Sequence, residues 1–410
     1  MNPAYPSRYA WTVVALLLPV ALLNYLDRQM LAAMKFSVMA AIPDIGSEAN
    51  WGFLPAAFKW VYAFLSPVGG FLADRFGRRK VIGASLFVWS AVTWATGHVH
   101  TFDQMIVTRA LMGISEACYI PAALALIVDF HPGPTRSRAI GVHQMAIYTG
   151  ILIGGFSGYV ADQPNLGWRF AFETAGAVGV LYAIPLFFLL RDPPRPAIAV
   201  ARPSVVASVG ELFSNRYFIL MVLYFTLPAL AGWIVKDWMP AILKQQFAIG
   251  QGKAGVSATL FVNVASLIGT LTGGWLADRW MRRSERGRIN VSALGVCCLV
   301  PALFGVGNAG SLGVAVAFLM LFGLGWGFYD CNHMPILCQI VRPGLRATGY
   351  GFMNLVSISC GGFADWGFGA LRDHHVPLNI IFGVFASACI VSIGLILMIK
   401  PREPQSTEAA

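Results

Sequence analysis

Apolar stretches of about 18 residues or more recur along the whole of this 410-residue chain. A helix of about 20 apolar residues crosses the roughly 30 Å hydrocarbon core of a bilayer. A buried soluble core explains one or two such stretches, but not a dozen. Charged residues make up only 12% of the chain, about half the share of a soluble domain. The sequence therefore predicts an all-α membrane protein.

Twelve transmembrane helices are predicted, separated by turn residues such as Pro132-Gly133-Pro134 and Arg342-Pro343-Gly344. The predicted spans are residues 11–34, 51–73, 80–99, 103–129, 138–161, 168–190, 215–240, 254–277, 289–307, 311–337, 345–371 and 377–399. We expect an N-terminal six-helix bundle over residues 1–190, a cytoplasmic linker over 191–214 and a C-terminal six-helix bundle over 215–410.

The positive residues indicate the orientation in the membrane. Of the 29 Lys and Arg residues, 20 lie in segments that would be cytoplasmic if the N-terminus is inside, as the positive-inside rule requires. We therefore expect a multi-pass inner-membrane protein with both termini in the cytoplasm. The net charge of +10 follows from this loop pattern and does not indicate a nucleic-acid partner.

An internal repeat relates the two halves. The string Gly69-Gly70-Phe71-Leu72-Ala73-Asp74-Arg75 recurs as Gly273-Gly274-Trp275-Leu276-Ala277-Asp278-Arg279. An even number of predicted spans separates the copies, so the halves run parallel, related by an axis along the membrane normal. Transporters that work by alternating access use this arrangement.

The segment 70–80, Gly-Phe-Leu-Ala-Asp-Arg-Phe-Gly-Arg-Arg-Lys, resembles the signature of the major facilitator superfamily. The resemblance covers the whole chain and implies that superfamily's fold of two pseudo-symmetric six-helix bundles. Glycines permit close helix packing, and a carboxylate at a helix end can pair with an arginine in one closed state only. The alternative is that the basic residues only set topology, and we expect both roles. The expected gating residues are Gly70, Asp74, Arg75, Gly77, Arg78, Asp278 and Arg279.

Two further segments resemble the anion:cation symporters, which include sugar-acid proton symporters and sialin-like carriers. They are residues 24–28, Asn-Tyr-Leu-Asp-Arg, and residues 109–117, which begin with Arg109 and contain Glu116. The resemblance implies carboxylate binding and proton coupling at Asp27, Arg28, Arg109 and Glu116. Residues 116–119 also resemble the Spinster-like lipid transporters, so a lipid or amphiphile exporter is the alternative function.

Each charge inside a predicted span is a candidate functional residue, because an unpaired charge there is costly. Glu116 lies in the middle of span four and Arg109 lies two turns earlier on the same face. A carboxyl group that changes its protonation state suits proton coupling, whereas the alternative for Glu116 is a structural salt bridge. The planar guanidinium of Arg28 matches a carboxylate. Asp27 is a second proton-site candidate or a structural partner of Arg28 or Arg109.

Lys59 lies one turn from Tyr62 in span two. We interpret it as an added cation that faces the central cavity; the alternative is a lysine that snorkels to the outer interface. With Arg28 and Arg109 it would make the cavity net positive and favour an anionic substrate. Lys236 and Asp237 are expected to form an outer gate or an interfacial pair.

Polar and aromatic residues in spans one, two, five, ten and eleven suit a hydroxyl-rich ligand. Singly, each is more often an interhelical hydrogen bond. The set is Tyr25, Tyr62, His143, Gln144, Tyr148, Trp326, Asp330, Asn332, His333 and Asn354, with Ser357 and Asp365 as weaker candidates. An auxiliary proton role is expected for His333, since histidine titrates in the physiological range.

Nucleotide-loop, HExxH and CxxC patterns do not occur in the sequence, and the seven cysteines lie within apolar segments. We therefore expect no enzyme activity, no cofactor and no metal site. The sequence predicts a monomeric, proton-coupled importer of a small organic anion, with a sugar acid of the hexonate, hexuronate or glucarate type as the expected substrate. Its partners are the substrate anion, protons and the lipid bilayer.

Overall fold

The computed structural model describes residues 7–131, 135–192, 205–342 and 345–401, and within these ranges it contains helices but no strand. The sixteen α-helices are α1 (Ser7–Ala33), α2 (Lys35–Ala41), α3 (Glu48–Phe76), α4 (Arg78–Thr96), α5 (Phe102–Glu116), α6 (Tyr119–Phe130), α7 (Arg136–Ala161), α8 (Gly167–Leu189), α9 (Val205–Ser214), α10 (Arg216–Asp237), α11 (Met239–Phe247), α12 (Gln251–Met281), α13 (Gly287–Gly307), α14 (Leu312–Ile340), α15 (Arg346–Asp373) and α16 (Leu378–Met398). The turns at 132–134 and 343–344, and linker residues 193–204, lie outside the described residues.

The predicted all-α architecture is confirmed. Every predicted span corresponds to one helix, or to the α5–α6 pair, with ends that agree to about four residues. Three short helices were not predicted, namely α2, α9 and α11, and neither was a break in span four. That span turns at Ala117 and Cys118, directly after Glu116. Among the described residues, ten helical segments are long and apolar enough to cross a membrane, with α5 and α6 counted as one. The other two predicted spans, α4 and α15, are less apolar, because α4 begins with basic residues and α15 is polar and rich in glycine.

The helices begin where the sequence offers caps. Ser47, Thr101 and Ser311 precede α3, α5 and α14, and each side-chain oxygen accepts a hydrogen bond from a backbone N–H in the first turn. Such caps satisfy donors that have no partner within the helix. Gly77 separates α3 from α4 and has a φ of 96°, a backbone conformation that residues with a side chain rarely adopt. The backbone conformation alone therefore explains why this position of the signature is a glycine.

The chain forms two compact units. The first contains α1–α8, the segment 233–260 that ends α10 and begins α12, and residues 361–375 at the end of α15. Inside it α1 packs against α7, α3 against α5 and α4 against α8. A fully buried cluster that includes Leu17, Leu86 and Leu126 forms its apolar centre.

The second unit contains α9, most of α10, α12 and α15, and all of α13, α14 and α16. Its main contacts join α13 to α14 and to α16. Tyr329 of α14 donates a hydrogen bond to the carbonyl oxygen of Phe225 in α10 at 2.6 Å. Ser392 of α16 donates to the carbonyl oxygen of Tyr224 at 3.1 Å. Buried hydroxyls therefore link helices that are otherwise joined by apolar contact.

Glycine sets the distance between α4 and α8. A Cβ atom at Gly176 would lie 2.3 Å from the backbone nitrogen of Trp94, which is closer than any carbon atom can approach without moving a helix. By contrast, a Cβ atom at Gly141 of α7 would meet nothing within 4 Å. These two helical glycines form a matched pair for a packing test.

We expect Gly176→Ala to lower the thermal unfolding midpoint of the detergent-purified protein, because overpacking costs about 1–3 kcal/mol. Gly141→Ala should leave the midpoint unchanged or raise it slightly, since alanine favours helix. Thermal unfolding monitored by size-exclusion chromatography measures both. Equal midpoints for the two variants would contradict the close approach of α4 and α8.

Candidate substrate and proton site

A buried ion pair joins the C-terminal part of α1 to the end of α5. Arg28 donates two hydrogen bonds to one oxygen of Glu116, from Nε at 2.8 Å and from Nη2 at 2.5 Å to Oε2. The Glu116 side chain is completely buried and that of Arg28 is 13% exposed. Asn24, one turn before Arg28, accepts a further hydrogen bond from Nη2 at 3.3 Å. The structure thus brings together two of the predicted site residues.

Three aromatic rings surround the Arg28 guanidinium. Its Cζ atom lies 4.8 Å from the ring centre of Tyr25, 4.4 Å from that of Phe58 and 5.1 Å from that of Tyr62. Cation–π attraction of about 0.5–2 kcal/mol per contact favours this position. Phe58 was not predicted, because a phenylalanine in an apolar helix carries no signal of its own.

Asp27 and Arg109 lie on the other side of this pair. Asp27 accepts a hydrogen bond from Thr93 Oγ1 of α4 at 2.9 Å, and Arg109 Nη2 donates to Thr96 Oγ1 of the same helix at 2.9 Å. Both side chains are almost fully buried, and Asp27 lies within electrostatic range of both arginines. α4, from which only the gating residue Arg78 was predicted, therefore positions two of the four charges.

Part of the hydrogen-bonding capacity of this group is unused. Among the described residues, no hydrogen-bond partner contacts Asp27 Oδ1, Arg109 Nε or Glu116 Oε1, although all three atoms are buried. A buried polar atom without a partner is costly, so these atoms offer binding positions for a proton or a polar ligand.

Lys59 differs from its predicted role. Its Nζ atom lies 2.5 Å from Asp237 Oδ2 of α10 and also contacts Asp365 Oδ2 of α15. It lies 4.1 Å from the ring centre of Trp233, and the residue is 3% exposed. Lys59 is therefore a fully paired ion, which corrects the interpretation as an added cation facing a cavity. The pairing was missed because its partners lie 178 and 306 residues away in the sequence.

Lys236 places a further cation beside the Arg28 pair. Its Nζ atom lies 4.8 Å from the ring centre of Tyr25 and 5.1 Å from that of Trp233. In the described part of the chain Lys236 forms no ion pair within 4 Å. Tyr25 therefore contacts two cations, Arg28 and Lys236, through one ring. Asp237, expected to act with Lys236, pairs with Lys59 instead.

The charges of this region cancel. Among the described residues of the first unit, the cations in the connected group are Arg28, Lys59, Arg109 and Lys236, and the carboxylates are Asp27, Glu116, Asp237 and Asp365. Four positive and four negative charges sum to zero when all are ionised. The expected net positive charge is thus corrected, because Asp237 and Asp365 join the group.

The predicted residues of span five serve different purposes. His143 Nε2 lies 2.8 Å from the hydroxyl of Tyr119, which also donates to the carbonyl oxygen of Leu17 at 3.3 Å. His143 is buried in this contact between helices, whereas Gln144 is exposed. Tyr148 packs against the apolar core. Of the three, Gln144 is the side chain left accessible to a ligand.

Apart from Asp365, the predicted residues of α14 and α15 lie in the second unit. His333 stacks on Tyr350 with ring centres 5.8 Å apart, and its Nδ1 lies 3.8 Å from Asp330 Oδ1. Trp326 lies 5.2 Å from the ring of Tyr329. Asn332 bonds back to the carbonyl oxygen of Phe328 in its own helix, so its amide is already engaged. Asn354 of α15 is half-buried.

The signature residues form contacts within their own halves. Arg78 forms an ion pair with Asp129 of α6 and donates to the carbonyl oxygen of Ala125 at 2.7 Å. Arg75 is exposed beside Phe76. Position 70, a glycine, and the side chain of Asp74 lie outside the described part of the chain. In the second copy, Asp278 lies 3.9 Å from Arg288, and Arg279 lies 5.7 Å from the ring of Trp275.

Ionisable side chains buried inside long apolar helices are typical of ion and substrate pathways in membrane proteins. The profile of the Major Facilitator Superfamily matches residues 17–364. The chain therefore belongs to that superfamily of twelve-helix transporters, as its signature segment indicated, and it is a transporter rather than an enzyme.

Two kinds of relative share sequence with this chain. Protein spinster homolog 1 of Bos taurus is 28% identical over 380 residues, covering 86% of this chain and 70% of that protein. The D-galactonate transporter of Escherichia coli O6:H1 is 25% identical over 411 residues, covering 86% and 92%. The solved structure of a bacterial homologue of the human lysosomal transporter Spinster, inward-facing and unoccupied, has a TM-score of 0.77 at 19% identity, covering 97% and 96% of the two chains; this likeness shows the fold alone.

We expect Lys59→Met to lower the stability of the purified protein by about 3–5 kcal/mol, because it leaves two carboxylates without their cation. Adding Asp365→Asn to Lys59→Met should restore part of that loss, since it removes the fully buried unpaired charge. The thermal unfolding midpoint in detergent measures both effects.

The matched control is Lys244→Met. Lys244 of α11 is half-buried and lies 5.2 Å from the ring of Phe36, so its loss should cost about 1 kcal/mol or less. A Lys59→Met protein as stable as this control would show that the ionic contacts of Lys59 with Asp237 and Asp365 contribute nothing to stability.

Proposed function

We propose that this protein is a proton-coupled transporter of small organic monoanions, and that Arg28 and Glu116 bind the anion and the proton respectively. The buried Arg28–Glu116 pair is the observation that carries the proposal. Arg28 presents planar N–H donors that match a substrate carboxylate, but in this structure two of them are taken by Glu116. A substrate carboxylate therefore competes with Glu116 for the same cation.

That competition couples the two ligands. A substrate anion that takes Arg28 leaves Glu116 as a buried carboxylate without a partner, which is costly. A proton bound to Glu116 removes the charge and the cost. Because the surrounding charges cancel, one anion and one proton enter without changing the net charge. Substrate and proton therefore bind together and cross together by alternating access between outward-open and inward-open states.

Sugar acids are the proposed substrate class. Hexonates and hexuronates carry one carboxylate for Arg28, and their hydroxyl groups suit an exposed polar side chain of the same unit such as Gln144. The relationship to the D-galactonate transporter supports this class. We further propose that the protein lies in the inner membrane with both termini in the cytoplasm, as its Lys and Arg distribution indicates.

An amphiphile exporter is the second candidate. The relationship to spinster homologues supports it, and so does the aromatic surface that Tyr25, Phe58 and Tyr62 present around Arg28. An amphiphile with an anionic headgroup would use the same arginine, but its apolar chain would need a path toward lipid. The two candidates therefore differ in the ligand and agree on the ion pair.

Uptake by proteoliposomes distinguishes the candidates. We expect labelled D-galactonate or glucuronate to accumulate when the outside is acidic, whereas D-galactose, which lacks a carboxylate, should not. Thermal stabilisation by the same sugar acids gives a second readout that needs no flux. Stabilisation and transport by lysophospholipids, with no response to any sugar acid, would replace the sugar-acid proposal by the amphiphile one.

Glu116→Gln tests the coupling residue. The neutral amide imitates the protonated carboxyl, so substrate exchange across the membrane should continue while proton-driven accumulation falls to the level of equilibration. The matched control is Glu173→Gln, since Glu173 on α8 is partly exposed, with 38% of its side chain accessible, and its replacement should leave accumulation unchanged. Undiminished accumulation by Glu116→Gln would exclude Glu116 as the proton site.

A further inference from the structure

Lys59, Asp237 and Asp365 form a buried ionic cluster that the coupling of Arg28 and Glu116 does not use. The end of the first unit at which α1 ends and α3 begins is called the distal end. Since the cluster lies toward this end, we call it the distal triad. Each member comes from a different helix, α3, α10 and α15. One ammonium group contacts both carboxylates, so the triad holds three helices together.

The distal triad has an excess negative charge. Asp365 is completely buried, and among the described residues its Oδ1 atom has no hydrogen-bond partner. Two carboxylates that share one site do not both remain ionised unless a cation stays between them. Lys59 supplies that cation only while the three helices stay in contact. Separation of the helices would leave a pair of carboxylates that requires a proton.

Other polar contacts close the same end. Asp373 at the end of α15 accepts hydrogen bonds from the backbone N–H groups of Glu48 and Ala49, both at 2.8 Å, which caps the start of α3. Gln251 at the start of α12 donates to Ser37 at 2.6 Å and to Asp162 at 3.1 Å. The Asp373 contacts are exposed, whereas the triad is buried, so a change in the charge of the triad would accompany opening of this end.

We propose that the distal triad is a second proton-binding site, which takes up a proton on Asp237 or Asp365 when the distal end opens and releases it when Lys59 returns. In the open state one carboxylate becomes a carboxylic acid and the lysine keeps its charge in water. In the closed state both carboxylates are ionised against the lysine. This inference rests on alternating access in the proposed function, but not on the substrate or on Glu116.

Other charged groups face the triad and have to be separated from it. On α10 the neighbour is Lys236, which interacts in turn with Arg28 and Glu116. The helix ends contribute Lys35, Glu48 and Asp373. His374 and His375, directly after α15, are exposed, so both are replaced in a control.

The test uses a thiol reporter without substrate. Ala33 near the end of α1 is 3% exposed and lies against Gly255 of α12, so Ala33→Cys should react with a membrane-impermeant maleimide only when this end opens. The protein without the reporter corrects for its seven cysteines. Each labelling rate is divided by that of free cysteine at the same pH, because only the thiolate reacts and its fraction falls on acidification. We expect this normalised labelling rate to rise from about pH 8 to about pH 5.5, by up to about tenfold per pH unit, the limit for linkage to one proton.

The variants give opposite signs. Asp365→Asn leaves one carboxylate for one lysine, so the normalised labelling rate should become independent of pH. If Asp365→Asn folds poorly, Asp237→Asn provides the same test. Lys59→Met places the two carboxylates together in the closed state, which then needs the proton more than the open state does. The rate should therefore fall, rather than rise, on acidification.

Two control variants should keep the pH dependence of the parent protein's labelling rate. One is Asp103→Asn, which removes an exposed carboxylate at the start of α5. The other combines His374→Gln with His375→Gln. A parental slope in Asp365→Asn, or a slope lost with the two histidines, overturns the proposal. Because no substrate is present, failure here would leave the anion proposal standing, and failed sugar-acid uptake would leave this one standing.

Discussion

The ion pair between Arg28 and Glu116 is the interaction on which the account of this transporter depends. In the membrane interior neither charge is tolerated alone, so each side chain determines the state of the other. The pair lies where span four breaks, since α5 ends at Glu116 and α6 begins at Tyr119. A ligand that displaces one partner must therefore be accompanied by a change of charge on the other.

Charge balance extends this constraint to the neighbouring helices. The cations Arg28, Arg109, Lys59 and Lys236 are matched by an equal number of carboxylates within the described first unit. A neutral group admits an anion and a proton together at low cost, whereas either ion alone would leave an unbalanced charge. In the proposed mechanism, proton coupling thus follows from burial and charge count.

The sequence predicted the fold more completely than the site. Span positions follow from local hydropathy, and the repeated segment ending in Asp74-Arg75 and Asp278-Arg279 identified the superfamily. Asp27, Arg28, Arg109 and Glu116 were recognised because a charge inside an apolar helix stands out. Pairings across the chain could not be predicted. Lys59 and Asp365 are 306 residues apart, and no local pattern distinguishes a paired lysine from one that faces a cavity.

Proton uptake on substrate binding tests the central claim most directly. The purified protein in weakly buffered detergent solution is mixed with a saturating sugar-acid anion, and a pH indicator follows the medium. The account predicts that the medium becomes more alkaline, by up to one proton per protein bound to Glu116, and that Glu116→Gln binds the anion without this change. Anion binding that leaves the pH constant in the parent, or an equal change in Glu116→Gln, would contradict it.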